Sequence, residues 1–285
     1  MKFRRIGPKG KEVPVVIDSG GTYFNLSPVT TDISGDFLQD NGPQRVADML
    51  SNGELEEIPD ASAMRVGAPI ARPQAVICVG QNYAAHAAES GSDVPSVPLI
   101  FFKHPNTIIG PYDDVLRPPN AFKLDWEVEL GIVIGRRARY IDSPEAAAQY
   151  IAGYVVSHDV SERHWQVEES GGQWSKGKCG ESFNPIGPDL VTRNEIADVQ
   201  ALRLWSRVNG EPRQDSLTAD MVFSVDYLVW HLSQYMVLEP GDLINTGTPQ
   251  GVALSGRFPY LSPGDYVELG IDGLGSQRQN IVQAS

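Results

Sequence analysis

Short apolar runs punctuated by Gly and Pro dominate the chain, and most carry the two-residue alternation or the continuous apolar character of strands. Phe3–Ile6 and Val13–Ile17 read as strands around a Gly-Pro-Lys-Gly turn, whereas Val46, Met49 and Leu50 fall at helical spacing within Arg45–Ser51. A Pro-dotted connector from Ile58 to Pro73 then marks a boundary. It predicts a small N-terminal α/β unit over residues 1–70 and a main domain over residues 71–285. From Ala75 the strand signal strengthens through AVICVG, LIFFK and VELGIVIG.

Two helices stand out. One is the stretch SPEAAAQYIAGY, with Ser143 placed as an N-cap, Pro144 in the first turn and Glu145 near the positive end of the dipole. The other covers Ser224 to Met236. Pro-Gly-Asp at 240–242 and again at 263–265 precedes a strand each time, with Pro setting φ and Gly supplying the positive φ. The fold class is therefore α+β and β-rich. No G-x-G-x-x-G follows a strand and opens a helix, so the pattern gives no dinucleotide fold.

Composition narrows the function classes. The 285 residues hold 36 Asp and Glu against 23 Lys and Arg, a formal net charge of -13. That sign disfavours nucleic acid and anionic membranes as partners. Hydrophobic residues make up 41%, and no run approaches the roughly 18 apolar residues of a membrane span. Cys78 and Cys179 lack a C-x-x-C pattern and fit a reducing, cytoplasmic compartment.

Several acids are placed where surface charge alone would not put them. In Trp126–Ile134, alternation sets Trp126, Val128 and Leu130 on one face and Glu127 with Glu129 on the other, about 7 Å apart at Cα. Three readings follow: a solvent-facing strand, a divalent-cation site, or a glycosidase-like acid and base pair. Tyr154–Asp159 reads as a strand ending in an acid, followed by a helical VSERHWQVEE. Asp159, Arg163 and Gln166 would then share one helical face, as a site or as an N-cap with an ordinary salt bridge. His86 and Glu89, at i and i+3 of a short helical stretch, are spaced for a carboxylate to orient an imidazole base, or for a surface pair. Lys178 lies in a Gly- and Pro-rich loop. Asn245–Gly251 is a turn or an anion-binding nest using the Thr246 or Thr248 hydroxyls.

Taken in order, VGQNYAAHAAE, DWEVELGIVIG, HDVSERHWQ, QWSKGKCGESFNPIGP and NTGTPQGV make the chain from Ala75 onward resemble the fumarylacetoacetate hydrolase family. Within it the chain is similar to small bacterial members that cleave acylpyruvates or 2,4-diketo-3-deoxy sugar acids. The resemblance implies a roll-like β-rich fold, a homodimer, and Mg²⁺ or Mn²⁺ held by Glu127, Glu129 and Asp159. It implies a catalytic dyad of His86 and Glu89 on a mobile lid, with Lys178 stabilising the enolate. Arg163, Gln166, Thr248 and Lys103 would surround a small 2-oxo acid. The implied reaction is hydrolysis of the C3–C4 bond of a 2,4-dioxo acid to pyruvate and a carboxylic acid. Oxaloacetate decarboxylation, tautomerisation and isomerisation are the alternatives in the same site. A non-catalytic acidic binding protein is the alternative of another class. Two departures fall near the substrate: Lys178-Cys179-Gly180-Glu181, where the family commonly has Lys-Ser with an Asp two residues on, and Ala253-Leu254, where a further Gly is common.

Overall fold

The computed structural model describes residues 1–285. Nine strands form one sheet: β1 (Lys2–Ile6), β2 (Val13–Ile17), β3 (Tyr23–Asn25), β4 (Val76–Gly80), β5 (Leu99–Lys103), β7 (Val128–Ile134), β8 (Ile151–His158), β9 (Leu190–Thr192) and β12 (Leu243–Asn245). A second sheet of five contains β6 (Val115–Arg117), β10 (Arg203–Val208), β11 (Glu211–Leu217), β13 (Tyr266–Ile271) and β14 (Gly275–Gln283). The large sheet runs β3-β2-β1-β9-β8-β7-β12-β4-β5 and the smaller β11-β10-β13-β14-β6. Pairing is antiparallel except for β12 with β4 and β14 with β6. The architecture is α+β and strand-rich, as the pattern predicted.

Strand β7 explains how the layers form. Every residue in it is buried, so both its faces are covered. Leu130, Ile132 and Ile134 enter a core shared with Leu204, Val267 and Leu269 of the second sheet and with Val229 and Leu232 of a helix over Val225–Ser233. Val133 faces the other way, among Val155, Leu243, Phe3, and Phe37, Leu38 and Val46 from helices over Gly35–Gln39 and Gly42–Ser51. The N-terminal strands continue this sheet, with Lys2 opposite Val191. Gly241 and Gly264 of the two Pro-Gly-Asp turns have φ of 87° and 99°, a region that glycine adopts without a Cβ clash.

The helical expectations need correction. Pro144–Tyr150 is a 3₁₀ turn that Ser143 does not cap, and the expected helix stops there because Ile151 begins β8. The C-terminal helix ends at Ser233, three residues before Met236, although Ser224 does cap it. No helix is long and apolar enough to cross a membrane.

Candidate active site

The site sits where the ends of β7, β8 and β4 meet. Ser157 pairs with Glu129 and His158 with Val128, and the Asp159 N–H donates to the Glu127 carbonyl at 3.0 Å. That register brings Glu127, Glu129 and Asp159 side by side, with a carboxylate oxygen of each within 4.8 Å of the others. Trp126, Val128 and Leu130 point the opposite way into the core. Glu127, Glu129 and Asp159 are at most 4% exposed, so the solvent-facing reading of the Glu-x-Glu strand is wrong.

Cations brace two of the three acids. Lys178 Nζ donates to Glu127 at 2.7 Å and to Asp159 at 2.9 Å, and Lys103 Nζ donates to Asp159 at 2.5 Å. Arg163 does not pair with Asp159. Its Nη2 donates to Glu127 (2.6 Å), its Nε to Asp125 (2.8 Å) and its Nη1 to Gln166 (2.8 Å). The segment is also not a helix from Asp159 onward. Ser161–Glu162 bridges Leu124–Asp125, and only His164–Glu168 closes, as one π turn. Glu162 accounts for this break, because its carboxylate accepts the N–H groups of Phe122, Lys123 and Trp165. Arg163 and Gln166 still reach the site.

Glu129 is different. The Gly247 N–H donates to its Oε2 at 2.8 Å, and no side-chain cation is bonded to it. The 245–251 turn thus gives single N–H groups to two of the protein's own carboxylates, Gly247 to Glu129 and Gly251 to Glu89, while the Thr246 and Thr248 hydroxyls donate to backbone carbonyls and hold no anion. Burial, with Asp159 and Glu127 alongside, pushes the Glu129 carboxyl well above its usual range. Burial acts the same way on Glu127, but the charges of Lys178 and Arg163 outweigh it and hold that carboxyl far below the usual range. Four buried acids (Asp125, Glu127, Glu129, Asp159) meet three buried cations (Lys103, Arg163, Lys178). An all-carboxylate donor set with one uncompensated negative charge fits a hard divalent cation such as Mg²⁺ or Mn²⁺.

Above this floor lies a cavity of about 330 Å³, lined by Glu127, Glu129, Arg163, Gln166, Lys178 and Thr248, with His86 and Glu89 on its wall. A short helix, Ala84–Glu89, presents the last two, with His86 Nδ1 3.7 Å from Glu89 Oε2. That separation exceeds a hydrogen bond, and Nδ1 is buried without a partner. The Gly251 N–H donates to Glu89 Oε2 at 2.9 Å. Burial opposes ionisation of Glu89, but His86 and that N–H outweigh it and lower its pKa. Phe101 and Trp174 form an aromatic edge of the cavity, where Gly80 leaves room for the indole: a Cβ there would lie 2.4 Å from it.

All ten residues singled out from the sequence converge here. Lys103 is outside the cavity lining and stands behind Asp159. Thr248 lines it, with its hydroxyl donating to the Val128 carbonyl and accepting from Gln214. Two supporting residues were missed. Asp125 accepts from Arg163 and from the N–H groups of Ala253 and Leu254, joining the floor to the 251–255 loop. Its signal was available, since Asp125, Glu127 and Glu129 alternate at i, i+2 and i+4. Gln214 fixes Thr248, Pro249 and the Val128 N–H, and nothing in its strand marks it.

Comparison with known proteins agrees with this geometry. The profile of the fumarylacetoacetate (FAA) hydrolase C-terminal family matches residues 75–282. A Burkholderia multivorans protein, named only as a hydrolase, is 46% identical over 282 residues, covering 98% of each chain. Two solved structures align over the full length of both chains. A 5-carboxymethyl-2-hydroxymuconate delta-isomerase from Mycobacterium smegmatis is 33% identical with a TM-score of 0.78. A maleylpyruvate hydrolase from Sphingobium sp. SYK-6, in complex with manganese(II) and pyruvate, is 25% identical with a TM-score of 0.82. A match that takes in the acidic triad, the 84–89 helix and the 245–251 turn makes this chain an enzyme of the fumarylacetoacetate hydrolase family.

Proposed function

We propose that the enzyme is a Mg²⁺- or Mn²⁺-dependent hydrolase that cleaves the C3–C4 bond of a 2,4-dioxo acid to pyruvate and a carboxylic acid. The observation that carries this reading is the buried triad of Glu127, Glu129 and Asp159 beneath a cavity whose wall holds an imidazole and a carboxylate. The maleylpyruvate hydrolase that resembles the chain was solved with manganese(II) and pyruvate, which supports both the cation and the product.

Glu127, Glu129 and Asp159 would hold the cation, which supplies Lewis-acid stabilisation of charge on the substrate's oxygens. Arg163 and Gln166 bind and orient the substrate's carboxylate end, and Thr248 closes the cavity beside them. His86 accepts a proton from a water molecule, which adds to the C4 carbonyl. Glu89, 3.7 Å from Nδ1, stabilises the charged form of the imidazole. Collapse of the C4 adduct breaks C3–C4, and the electron pair passes to the 2-oxo oxygen, where the Lys178 ammonium stabilises the pyruvate enolate. Protonation at C3 completes pyruvate. Lys103 positions Asp159 and does not touch substrate. The same enzyme would work as a homodimer on a small 2-oxo acid, which sedimentation analysis can check.

A second reading, isomerisation or tautomerisation of a 2-oxo acid, is favoured by the likeness to the delta-isomerase. Only proton relocation would then occur, and no pyruvate would be released. The test is a panel of acylpyruvates, diketo sugar acids and oxaloacetate, assayed with Mg²⁺ and followed by pyruvate release. EDTA should abolish turnover and Mg²⁺ restore it, and His86→Ala should abolish acylpyruvate hydrolysis. Pyruvate release from acylpyruvates that persists in EDTA would refute the proposal. Ultraviolet change without pyruvate release would transfer it to the isomerase reading.

A further inference from the structure

One wall of the cavity is apolar and flat, and the 2-oxo acid head leaves it unused. Gly80, Phe101 and Trp174 form it, with Val79, Val167 and Leu254 supplying the rest of the apolar lining. The cations nearby are all paired with acids of the protein. Arg163 is bonded to Asp125 and Glu127, Lys178 to Glu127 and Asp159, and Arg257, outside the lining, to Glu89. Away from the floor and the dyad, the polar lining is Gln81, Ser90 and Ser92, which carry no charge.

Trp174 is held in a fixed plane. Its six-membered ring lies against the Gly80 backbone, where a Cβ would collide with Cζ3 and approach Cη2 to 3.2 Å. Phe101 meets the indole edge-on, with centroids 5.6 Å apart and planes at 61°. Phe101 is itself engaged, since the Lys178 ammonium sits over its ring, 5.1 Å from the centroid. Trp174 is half-buried and keeps surface toward the cavity.

The indole and the floor share one element. Trp174–Gly177 is a single 3₁₀ turn, and Lys178 follows it directly. The Ser175 hydroxyl accepts the Phe102 N–H at 3.2 Å, and the Lys178 N–H donates to the Ser175 carbonyl at 3.1 Å. A turn docked on β5 thus carries both the ammonium of the floor and the indole of the wall.

We propose that Trp174 is a specificity residue that stacks on an aromatic ring carried at C4 of the substrate, which makes the preferred substrates aroylpyruvates. The inference deepens the 2-oxo acid reading of the floor and rests on it. An indole fixed by Gly80 and Phe101 needs no reordering to receive a flat partner, whereas a flexible saturated chain loses rotamer freedom on binding. Ring-on-ring contact also adds to the gain from buried apolar area. A cavity of about 330 Å³ is at the small end for ligand pockets and suits a pyruvyl head with one ring.

The test uses Mg²⁺-loaded protein, titrated by calorimetry with pyruvate, 2-oxo-4-phenylbutanoate, 2-oxo-4-cyclohexylbutanoate and 2-oxoadipate. None of the four carries a C4 ketone, so none can be cleaved at C3–C4. The wild type should bind the phenyl ligand about tenfold more tightly than pyruvate and about threefold more tightly than the cyclohexyl ligand. Trp174→Ala should lose both preferences and keep its affinity for pyruvate, and Trp174→Phe should keep part of them. Gly80→Ala, which displaces the indole without removing it, should weaken phenyl binding and leave pyruvate binding unchanged. A wild type without the phenyl preference, or one that binds 2-oxoadipate more tightly, overturns the inference and leaves the head-group reading intact. So does a Trp174→Ala variant that retains the preference. Loss of pyruvate affinity in Trp174→Ala would make the indole a support of Lys178 and overturns the inference as well. Failure of pyruvate to bind the wild type overturns the head-group reading and the inference with it.

Discussion

Glu129→Gln should make the metal-free enzyme more stable while abolishing its response to Mg²⁺. Glu129 is buried, and carboxylate oxygens of Glu127 and Asp159 lie within 4.8 Å of one of its own. At an effective dielectric of about 20, two unit charges 4.8 Å apart repel by about 3 kcal/mol. Glu129 faces two such neighbours, and Lys178 offsets roughly one of them. Glutamine keeps an oxygen to accept the Gly247 N–H, so the substitution removes repulsion without orphaning a backbone donor. The expected gain is about 1–3 kcal/mol in EDTA.

The gain should depend on pH with a definite sign. The folded protein raises the Glu129 carboxyl well above 4.5, so between pH 4.5 and that raised value the native state holds a proton that the unfolded chain has released. Stability of the metal-free wild type therefore falls as pH rises through that window, and the advantage of Glu129→Gln grows. Scanning calorimetry in EDTA, at mildly acidic and mildly alkaline pH, measures this directly. In the wild type, Mg²⁺ at about 100 times its Kd should add about 2.7 kcal/mol, a rise of roughly 5–10 °C in Tm. In Glu129→Gln that rise should vanish. A variant that melts below the wild type in EDTA at alkaline pH, or that keeps the Mg²⁺ response, would refute the electrostatic reasoning.

Two further substitutions probe the supports. Lys178→Met leaves Glu127 and Asp159 short of a buried cation and should cost about 3–5 kcal/mol in urea unfolding, with turnover lost; a loss under 1 kcal/mol would contradict the assigned pairing. Asp125→Asn should loosen Arg163 and the 251–255 loop together, raising KM about tenfold with a smaller change in kcat. Unchanged steady-state kinetics would remove Asp125 from the positioning role.

What the sequence disclosed depended on how local the governing interaction is. Strand alternation needs only neighbouring residues, so the opposed faces of Trp126–Leu130 and the Pro-Gly-Asp turns were legible. The sign of burial was not local. The same alternation fits a wet strand, and only the closing of Lys178, Arg163 and the 245–251 turn over Glu127 and Glu129 makes that face an interior. Arg163 illustrates the same limit. Its spacing suggested Asp159 as partner, but Glu162 draws two N–H groups from Phe122 and Lys123 and one from Trp165, and breaks the helix that the spacing assumed. The SPEAAAQY stretch ended early because β8 claims Ile151 for the sheet. Family resemblance supplied the convergence of ten residues, nine from the five motifs and Lys103 from LIFFK. It gave no indication of Asp125 or Gln214, which hold other residues of the site.

The β7–β8 register has a consequence for how such an enzyme can change. Glu129 opposite Ser157 and the Asp159 N–H on the Glu127 carbonyl fix the acids through backbone pairing in the middle of a sheet. A slip of one residue would turn both glutamates into the apolar layer and bring Trp126 and Val128 into their place. The acidic floor is therefore nearly immutable, whereas the 84–92 and 251–258 segments above it, a short helix and turns, tolerate exchange at positions other than His86 and Glu89. New substrates can be acquired by grafting those two segments, with the floor carried over intact. The same division predicts that a library confined to them will yield altered specificity far more often than lost folding.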